Sequence, residues 1–391
     1  MKKKLKIVAD QNVPFLKGAL ESVAEIHYFP GREIGPGQIR DADALIIRTR
    51  TRCDRTLLEN SKVKFIATAT IGYDHIDTGY CANRLIRWQN APGCNSSSVE
   101  QYILSSLLVL AEKFNFKLWN MNIGIIGVGH VGSKVKRIAE LLGMKILLND
   151  PPREREEGPG EFVKLKQLLS VADIVTLHVP LNMNGEDKTY HMADRSFFQS
   201  IRKKVHFVNT SRGEVVDTNA LKEAIDRKSL ASVVLDVWEN EPDIDKGLLD
   251  LVDIATPHIA GYSLDGKANG TRMSVYALDW FFNLGLKNWK PENIPIPEKT
   301  DFHIDAEGKD IQNVLNESIL KTYNVMEDDQ RLRKSLHTFE QQRADYPLRR
   351  EYGTYTVHLI NDHSGIGEII EKLGFNLKRE NGRMKDEMLV K

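Results

Sequence analysis

The sequence predicts an α/β protein in which a doubly wound parallel sheet interrupts a smaller α/β domain, with an α+β domain at the C-terminal end. Short runs rich in Val and Ile alternate with segments of helical period in two successive blocks. Such alternation is typical of βαβ units and a parallel sheet. Two long helical patterns flank the second block, and a proline-rich polar stretch precedes the tail.

The first block carries the strand-like runs "KIVAD", "ALIIR" at 44–48 and "KFIATAT" at 64–70. Segments of helical period at 13–24 and 54–60 separate them. A serine cluster suited to an N-cap then opens a long apolar stripe at 95–114, which predicts a substantial buried helix.

The second block repeats the alternation more regularly and predicts six strands, at 122–128, 144–150, 173–179, 205–210, 231–237 and 253–257. Six strands with helices between them form a complete doubly wound sheet. A second long helical pattern follows at 264–284. The two long helices are therefore expected to carry the chain from the first domain to the inserted one and back.

The tail begins with "KPENIPIPEKTD", whose three prolines in a polar setting predict a linker at 290–301. Helical periodicity at 309–343 and a helix at 364–373 accompany strands at 355–360 and 374–378. The predicted domains are 1–95 with 263–290, then 96–262, then 291–391.

Composition limits the possible partners of the chain. Lys plus Arg equals Asp plus Glu at 54 each, so no dominant basic field favours nucleic acid or a membrane surface, and a small-molecule partner is expected. The cysteines are odd in number and lack CxxC spacing, which predicts free thiols and no zinc site: Cys53, Cys81 and Cys94. No run of about 18 apolar residues occurs, and a cytoplasmic protein is predicted.

The segment "GIIGVGHVGSKVKRIAELLGMKILLND" contains the pattern Gly127-x-Gly129-x-x-Gly132. The pattern alone is weak, but here it follows a predicted strand, opens a helix and precedes Asp150 at the end of the next strand. This context indicates a Rossmann-type dinucleotide site, in which amides near His130 and Val131 bind the pyrophosphate at the helix N-terminus.

Asp150 favours NAD over NADP, because its carboxylate can accept hydrogen bonds from a ribose hydroxyl and would repel a 2′-phosphate. Arg153 and Arg155 follow closely and could in principle meet such a phosphate. Solvated loop arginines are the simpler interpretation, and NAD is the predicted cofactor.

Three polar clusters follow predicted strands of the second sheet. They are "NTSRGEVVD" with Arg212, "LDVWENEP" with Asp236 and Glu241, and "TPHIAGYS" with His258. The carboxyl ends of strands line the ligand crevice of a doubly wound sheet. Taken singly, the histidine is more often structural, the arginine a surface residue and the glutamate an exposed turn acid; their joint order favours a catalytic set.

The order of GxGxxG, an acid, "VNTSRGEVVD", "LDVWENEP" and "PHIAG" resembles the D-isomer-specific 2-hydroxyacid dehydrogenase family over about residues 5–284. The resemblance implies a split two-domain fold with a flavodoxin-like substrate domain. It also implies catalytic roles for Arg212, Glu241 and His258. Asp236 and Gly261 are implied as cofactor contacts, as is the backbone of Val179, which stands where the family pattern leads us to expect threonine.

Oxidation of a 2-hydroxy acid requires a base for the hydroxyl proton, and His258 suits that task. Glu241 would set the ring tautomer and stabilise the charged imidazole. Arg212 offers a planar fork for the substrate carboxylate.

The first domain supplies the predicted substrate contacts. "ATATIGYDHID" resembles the substrate loop of the family, in which amides around Gly72 bind a carboxylate. The hydroxyls of Thr49 and Thr70 suit a polyhydroxylated substrate. Tyr262 and the tail "FEQQRADYPLRREYGTYTVHL" are similar to a branch whose substrate carries a phosphate and whose C-terminal domain forms a homodimer.

Two alternative functions stay open at this point: another enzyme of the family such as a 3-phosphoglycerate dehydrogenase, and a non-catalytic NAD(H)-sensing protein of the same fold. The residues that bind the substrate phosphate also stay open. For the phosphate, candidate cations in the first domain are Arg48, Arg50 and Arg52. In the tail, Arg349 and Arg350 could reach a partner subunit's substrate, although adjacent arginines are more often solvated or paired.

Overall fold

The computed structural model describes residues 4–362 and 365–380. The chain divides into two compact units. The first comprises the residues up to 95 together with 262–295, and the second comprises 96–261 together with the residues from 296 onward. Among the described residues, no helix combines the length and apolar character needed to span a bilayer.

The described strands, in chain order, are β1 Leu5–Asp10, β2 Ala24–Phe29, β3 Ala44–Ile47, β4 Phe65–Thr68, β5 Arg87–Gln89, β6 Asn122–Ile126, β7 Lys145–Asn149, β8 Ile174–Leu177, β9 Val205–Asn209, β10 Leu230–Leu235, β11 Ile254–Ala255, β12 Asp301–Asp305, β13 Thr356–Ile360 and β14 Asn376–Glu380. The α-helices are α1 Pro36–Ile39, α2 Arg55–Leu58, α3 Thr78–Asn83, α4 Ser96–Lys113, α5 His130–Leu141, α6 Pro151–Glu157, α7 Leu165–Val171, α8 Arg195–Ser200, α9 Thr218–Asp226, α10 Lys246–Leu251, α11 Leu264–Phe282, α12 Ile311–Leu320, α13 Val325–Lys334, α14 Phe339–Ala344 and α15 Ile366–Leu373.

The first unit is built on a parallel sheet of order β2-β1-β3-β4-β5. This is the flavodoxin-like order that the predicted substrate domain implied. Helix α11 packs on the sheet, and its Phe281 ring lies 4.8 Å from that of Phe65 in β4. Helix α11, which was predicted from the long helical pattern at 264–284, therefore completes the core of the first unit.

The helix predicted at 13–24 does not form, and this prediction is wrong. The segment runs as turns because Pro14 is followed by Phe15 with φ 60° and Gly18 with φ 88°, values that a right-handed helix excludes. Its apolar residues Leu16, Ala19 and Leu20 are nonetheless buried. Their spacing reflects core packing, and β2 follows directly.

The second unit contains a parallel sheet of order β11-β10-β9-β8-β6-β7, which confirms the six predicted strands. A single bridge between Leu148 and Phe162 extends the edge beyond β7. The strand order reverses at β6, so the loop after β6 opens at the topological switch point, where ligands bind in open α/β sheets.

The tail adds a small parallel sheet of order β12-β13-β14 to the second unit. Strands β13 and β14 and the helical stretch were predicted, whereas β12 falls just after the predicted linker. All three strands run parallel with helices in their connections. The three-domain division remains a prediction, since the tail and the larger sheet share one compact unit.

Cys53, Cys81 and Cys94 form no disulfide among the described residues, as predicted, and all three are buried. Burial raises the pKa of the Cys81 thiol to about 11, so this side chain stays protonated at neutral pH.

Candidate active site

The glycine loop between β6 and α5 has the geometry that a pyrophosphate requires. Gly127 adopts φ 85°, and a Cβ there would lie 2.6 Å from the carbonyl oxygen of His178. A Cβ on Gly132 would lie 2.0 Å from the carbonyl oxygen of Gly127. Gly129, by contrast, faces open space and occupies the N-cap without a side-chain cap. The amides of the first helical turn, from His130 and Val131, are thus left for an anionic ligand.

Asp150 ends β7 and ties the glycine loop to the next strand. One carboxylate oxygen accepts the N–H of Val128 at 2.7 Å, and the other accepts the N–H of Arg153 at 3.1 Å. A carboxylate has about four lone-pair positions, so Asp150 keeps capacity for the ribose hydroxyl predicted to bind there.

Arg153 and Arg155 are occupied by acidic partners. The Arg153 guanidinium contacts both oxygens of Glu157, at 2.7 and 2.8 Å, and donates to the Val128 carbonyl. Arg155 pairs with Asp187 at 2.5 Å. These pairs support the interpretation of both arginines as surface residues.

The catalytic candidates follow three neighbouring strands, β9, β10 and β11, at their carboxyl ends. His258 Nδ1 lies 2.7 Å from Glu241 Oε2, and Glu241 Oε1 accepts the N–H of Trp238 at 2.9 Å. The side chain of His258 is 31% exposed and that of Glu241 is 18% exposed. The histidine therefore holds one nitrogen against the carboxylate while its ring still reaches solvent.

Burial alone would raise the pKa of Glu241, but the charge and hydrogen bond of His258 outweigh it. The Trp238 N–H and the charge of Arg343 act in the same direction. The pKa of Glu241 therefore lies below its ordinary value, and the carboxylate is ionised at neutral pH.

His258 itself adopts φ 57°, in the left-handed region. A non-glycine residue there costs on the order of 1–3 kcal/mol and is retained only when its surroundings hold it. Asp236 supplies part of that support: its carboxylate accepts the N–H groups of Ile259 and Ala260 at 2.7 and 2.9 Å, and its backbone carbonyl accepts the N–H of His258.

Asp236 is 1% exposed. Such burial was not expected for a residue predicted to contact the cofactor. Thr256 also donates to its carboxylate at 2.6 Å, and Tyr102 in α4 lies 2.8 Å from the same threonine hydroxyl. Asp236 is thus the anchor of the loop that carries His258, and its contact with the nicotinamide side of NAD stays a prediction.

The loops that follow β9, β10 and β11 also pack against one another through their backbones. A Cβ on Gly213 would lie 1.9 Å from the backbone of Trp238, so the segment after Arg212 packs directly on the segment before Glu241. The Trp238 indole donates to the carbonyl of Thr256 at 2.9 Å. The structure thereby brings the predicted catalytic segments together.

Arg212 stands just after β9, where Asn209 donates to its carbonyl at 2.9 Å. One guanidinium nitrogen donates to the neighbouring Ser211 carbonyl at 2.8 Å. Val179 lies beside the glycine loop, with its Cγ1 2.9 Å from the position of a Cβ on Gly127. Gly261 follows the anchored loop and is half-buried.

The expectation that Arg349 binds a substrate phosphate is wrong. Its side chain is 4% exposed and donates to Gln101, to the Ser98 carbonyl and, at 3.4 and 3.2 Å, to the carbonyls of Ile259 and Ala260. Its guanidinium also lies 3.6 Å from the centre of the Tyr323 ring. Arg349 therefore holds the carbonyl side of the loop whose N–H groups Asp236 holds.

In the first unit, the predicted substrate residues lie at the ends of β3 and β4. Thr49 is exposed. The Thr70 hydroxyl donates to the carbonyl of Gly72 at 2.9 Å and so shapes the loop. Within 4–362 and 365–380, no protein group accepts the N–H of Gly72 or of Tyr73, which agrees with an amide site for an anion.

Tyr262, half-buried, lies under a cation that the sequence prediction missed. The Lys267 ammonium in α11 is 5.0 Å from the centre of its ring. The predicted helix at 264–284 places Lys267 in its first turns, shortly after Tyr262. Their closeness could have been predicted from this spacing.

The second unit matches the family model described as "D-isomer specific 2-hydroxyacid dehydrogenase, NAD binding domain" over residues 109–260. Residues 294–374 match a domain of unknown function, DUF3410. The match in the NAD-binding domain includes the glycine loop and the catalytic candidates.

The whole chain is similar to curated relatives named erythronate-4-phosphate dehydrogenase. The protein of that name from Bacteroides thetaiotaomicron is 51% identical over 90% of this chain and 99% of its own length. The one from Porphyromonas gingivalis is 43% identical over 90% of this chain and 95% of its own length.

Among solved structures, D-lactate dehydrogenase from Aquifex aeolicus, complexed with NAD and lactic acid, is similar with a TM-score of 0.59 at 26% identity. The similarity covers 73% of this chain and 98% of that one. About a quarter of this chain therefore lies outside the region that is similar to that dehydrogenase.

Proposed function

We propose, because this chain belongs to the erythronate-4-phosphate dehydrogenases of the D-isomer-specific 2-hydroxyacid dehydrogenase family, that it oxidises 4-phospho-D-erythronate at C2 to 2-oxo-3-hydroxy-4-phosphobutanoate. NAD is the cofactor, and the reaction serves pyridoxal 5′-phosphate biosynthesis. The observation that carries the proposal is the Glu241–His258 contact of 2.7 Å in a chain with this family's glycine loop.

The residues present fit NAD. The glycine loop leaves open space at Gly129 and uncapped amides at the start of α5, and Asp150 stands at the end of the following strand. When bound, NAD supplies the acceptor for the hydride that leaves C2. A 2′-phosphate would face the Asp150 carboxylate, while Arg153 and Arg155 are already paired with acids.

His258 accepts the proton of the C2 hydroxyl. Its Nδ1 is held by Glu241, so Nε2 is the nitrogen left to act as the base. The imidazolium that forms is stabilised by the adjacent ionised carboxylate. In the reverse reaction the same nitrogen returns the proton as a general acid.

Arg212 binds the substrate carboxylate and polarises the reacting oxygen, a task that suits its planar fork of donors. Within the first unit, the N–H groups around Gly72 are assigned to a substrate carboxylate, and Thr49 and Thr70 to substrate hydroxyls. An anion at free amides in a loop is a recurrent arrangement.

The enzyme acts in the cytoplasm as a homodimer, with the tail providing the dimer contact. The resemblance of the tail supports this assignment. The tail also supports the second unit internally, because Asp329 accepts the N–H of Ala255 in β11 and Arg333 donates to the carbonyls of Leu249 and Val252. Sedimentation of the full chain is therefore a cleaner test than truncation at 290, which would also remove those bonds.

Turnover tests the proposal against its alternatives. NADH formation from 4-phospho-D-erythronate should exceed that from 3-phospho-D-glycerate by at least about tenfold in kcat/KM. The reverse preference would identify the 3-phosphoglycerate alternative. NAD binding without turnover of either acid would identify a cofactor-sensing protein.

A further inference from the structure

Two cations of the first unit, Arg48 and Lys267, lack an acidic partner. Arg48 follows β3, and its Nη1 donates to the carbonyl of Asn12 at 3.1 Å. Lys267 lies in α11 with its ammonium over the Tyr262 ring. Both side chains are half-buried. Across the residues that the structure describes, no carboxylate oxygen lies within 4.0 Å of either cation.

The two residues are placed beside one loop of the first unit. Arg48 donates to the Asn12 carbonyl, and Thr271, whose hydroxyl lies 3.3 Å from the carbonyl of Lys267, donates to the Pro14 carbonyl at 2.6 Å. Burial, followed by the positive charge of Arg48, lowers the pKa of the Lys267 ammonium below its ordinary value. Bringing like charges together while removing them from water is unfavourable. A fold that keeps such a pair without an anion is suited to receive one, because a bound anion attracts both cations and so offsets their mutual repulsion.

We propose that Arg48 and Lys267, with the ring of Tyr262, form the subsite for the phosphate group of the substrate. This assignment rests on the proposed function and deepens it, because it names the residues that select a phosphorylated acid. A phosphate monoester carries close to two negative charges at neutral pH. Arginine supplies a planar fork for two of its oxygens, and lysine supplies a point charge.

The neighbouring arginines of the same loop differ from Arg48. Arg52 has an 83% exposed side chain and lies 3.3 Å from Asp54. Arg50 is exposed. Arg52→Met therefore removes a positive charge four residues from Arg48 without touching the subsite, which makes it the matched control.

The kinetic test compares 4-phospho-D-erythronate with D-erythronate, which lacks the phosphate. Lys267→Met should lower kcat/KM for the phosphorylated substrate between about tenfold and a hundredfold, the value of a charged hydrogen bond. It should change kcat/KM for D-erythronate less than about threefold. Lys267→Arg should recover part of the loss, and Arg52→Met should change neither value. Equal losses on both substrates with Lys267→Met would overturn the proposal.

A binding test separates this proposal from the proposed function. Phosphorus NMR titration of inorganic phosphate into the full chain should show binding by the wild type and by Arg52→Met, and binding at least about tenfold weaker by Lys267→Met. This outcome supports the subsite even if 4-phospho-D-erythronate is not turned over. Equal phosphate binding by all three proteins, or none by the wild type, would contradict it.

Thermal unfolding guards against a folding artefact. Methionine keeps the length of the lysine stem and removes a half-buried charge that Arg48 repels, so Lys267→Met should unfold at the same temperature as the wild type or higher. A lower unfolding temperature would show that Lys267 stabilises the fold in the absence of an anion, and would also contradict the proposal.

Discussion

The charged groups that hold His258 and its loop in the second unit have partners within the chain, whereas Arg48 and Lys267 in the first unit have no acidic partner among the described residues. His258 has Glu241 at 2.7 Å, and its loop is held by Asp236 on the N–H side and by Arg349 on the carbonyl side. Arg48 and Lys267 have no carboxylate within 4.0 Å among the described residues. A group that must move protons needs fixed geometry before the substrate arrives, while a group that recognises an anion can leave its counter-charge to the ligand. The second unit thus holds the group assigned to proton transfer, and the first unit holds the groups assigned to recognition of the phosphate.

The largest expected effect concerns the base. His258→Gln should lower kcat on the order of 10²–10⁴-fold, the usual contribution of a positioned acid–base group. The affinity for NAD, measured by calorimetry, should stay within about threefold. If turnover also stays within threefold, the histidine is structural, and the assignment of His258 as the base is contradicted.

Next comes the support of the His258 loop. Arg349→Met removes donors to Ile259 and Ala260 and leaves buried carbonyls without partners, which should cost about 3 kcal/mol in the free energy of unfolding. Amide hydrogen exchange in a peptide covering 256–262 should accelerate more than in one covering 205–210. Arg333→Met, which removes bonds to carbonyls elsewhere, is the control. Equal acceleration in both peptides would mean that Arg349 stabilises the unit without specifically holding this loop.

A smaller effect is expected from the histidine's partner. Glu241→Gln should lower kcat/KM about tenfold to a hundredfold, because the imidazolium loses an ionised neighbour. The acidic limb of the pH–rate profile should also move to lower pH, since the protonated ring is less stabilised. An unchanged profile would remove Glu241 from the role assigned to it.

The same glutamate predicts a dependence of stability on pH. Because the pKa of Glu241 lies below its ordinary value in the folded chain, its ionised form stabilises the fold above that ordinary value, and the contribution is lost as pH falls through the lowered pKa. Denaturant unfolding of wild type and Glu241→Gln should therefore differ at neutral pH and converge in acid. A constant difference across the range would contradict the assigned linkage.

The smallest predicted effect concerns cofactor choice. Asp150→Ala removes the ribose acceptor and the charge that repels a 2′-phosphate, so the preference for NAD over NADP should fall about tenfold. The comparison is of kcat/KM for each cofactor. A wild-type preference for NADP would be incompatible with the role given to Asp150.

The sequence predicted what depends on local order. The alternation of apolar runs and helical periods identified the six-stranded sheet and three of the five strands of the first sheet, missing β2 and β5. The glycine pattern located the cofactor loop between β6 and α5. The segment 13–24 misled because residues buried along turns can imitate helical spacing until Pro14 and Gly18 are considered.

What the sequence could not predict depends on contacts between distant residues. Arg349 meets Ala260 across 89 positions, and nothing in the string "PLRREYG" distinguishes a buried guanidinium from a solvated one. Arg48, just after β3, and Lys267 in α11 come beside one loop because Arg48 bonds to Asn12 and Thr271 of α11 bonds to Pro14. Charge pairing of this kind is decided by tertiary packing, which local pattern does not encode.

The most direct test of the comparison is the ratio of kcat/KM for 4-phospho-D-erythronate to that for D-erythronate, measured in wild type, His258→Gln and Lys267→Met by NADH absorbance. The account predicts that His258→Gln lowers both values and leaves their ratio within about threefold of wild type, whereas Lys267→Met lowers the ratio by at least about tenfold. A ratio that falls with His258→Gln, or that stays constant with Lys267→Met, would contradict the division between chemistry and phosphate recognition.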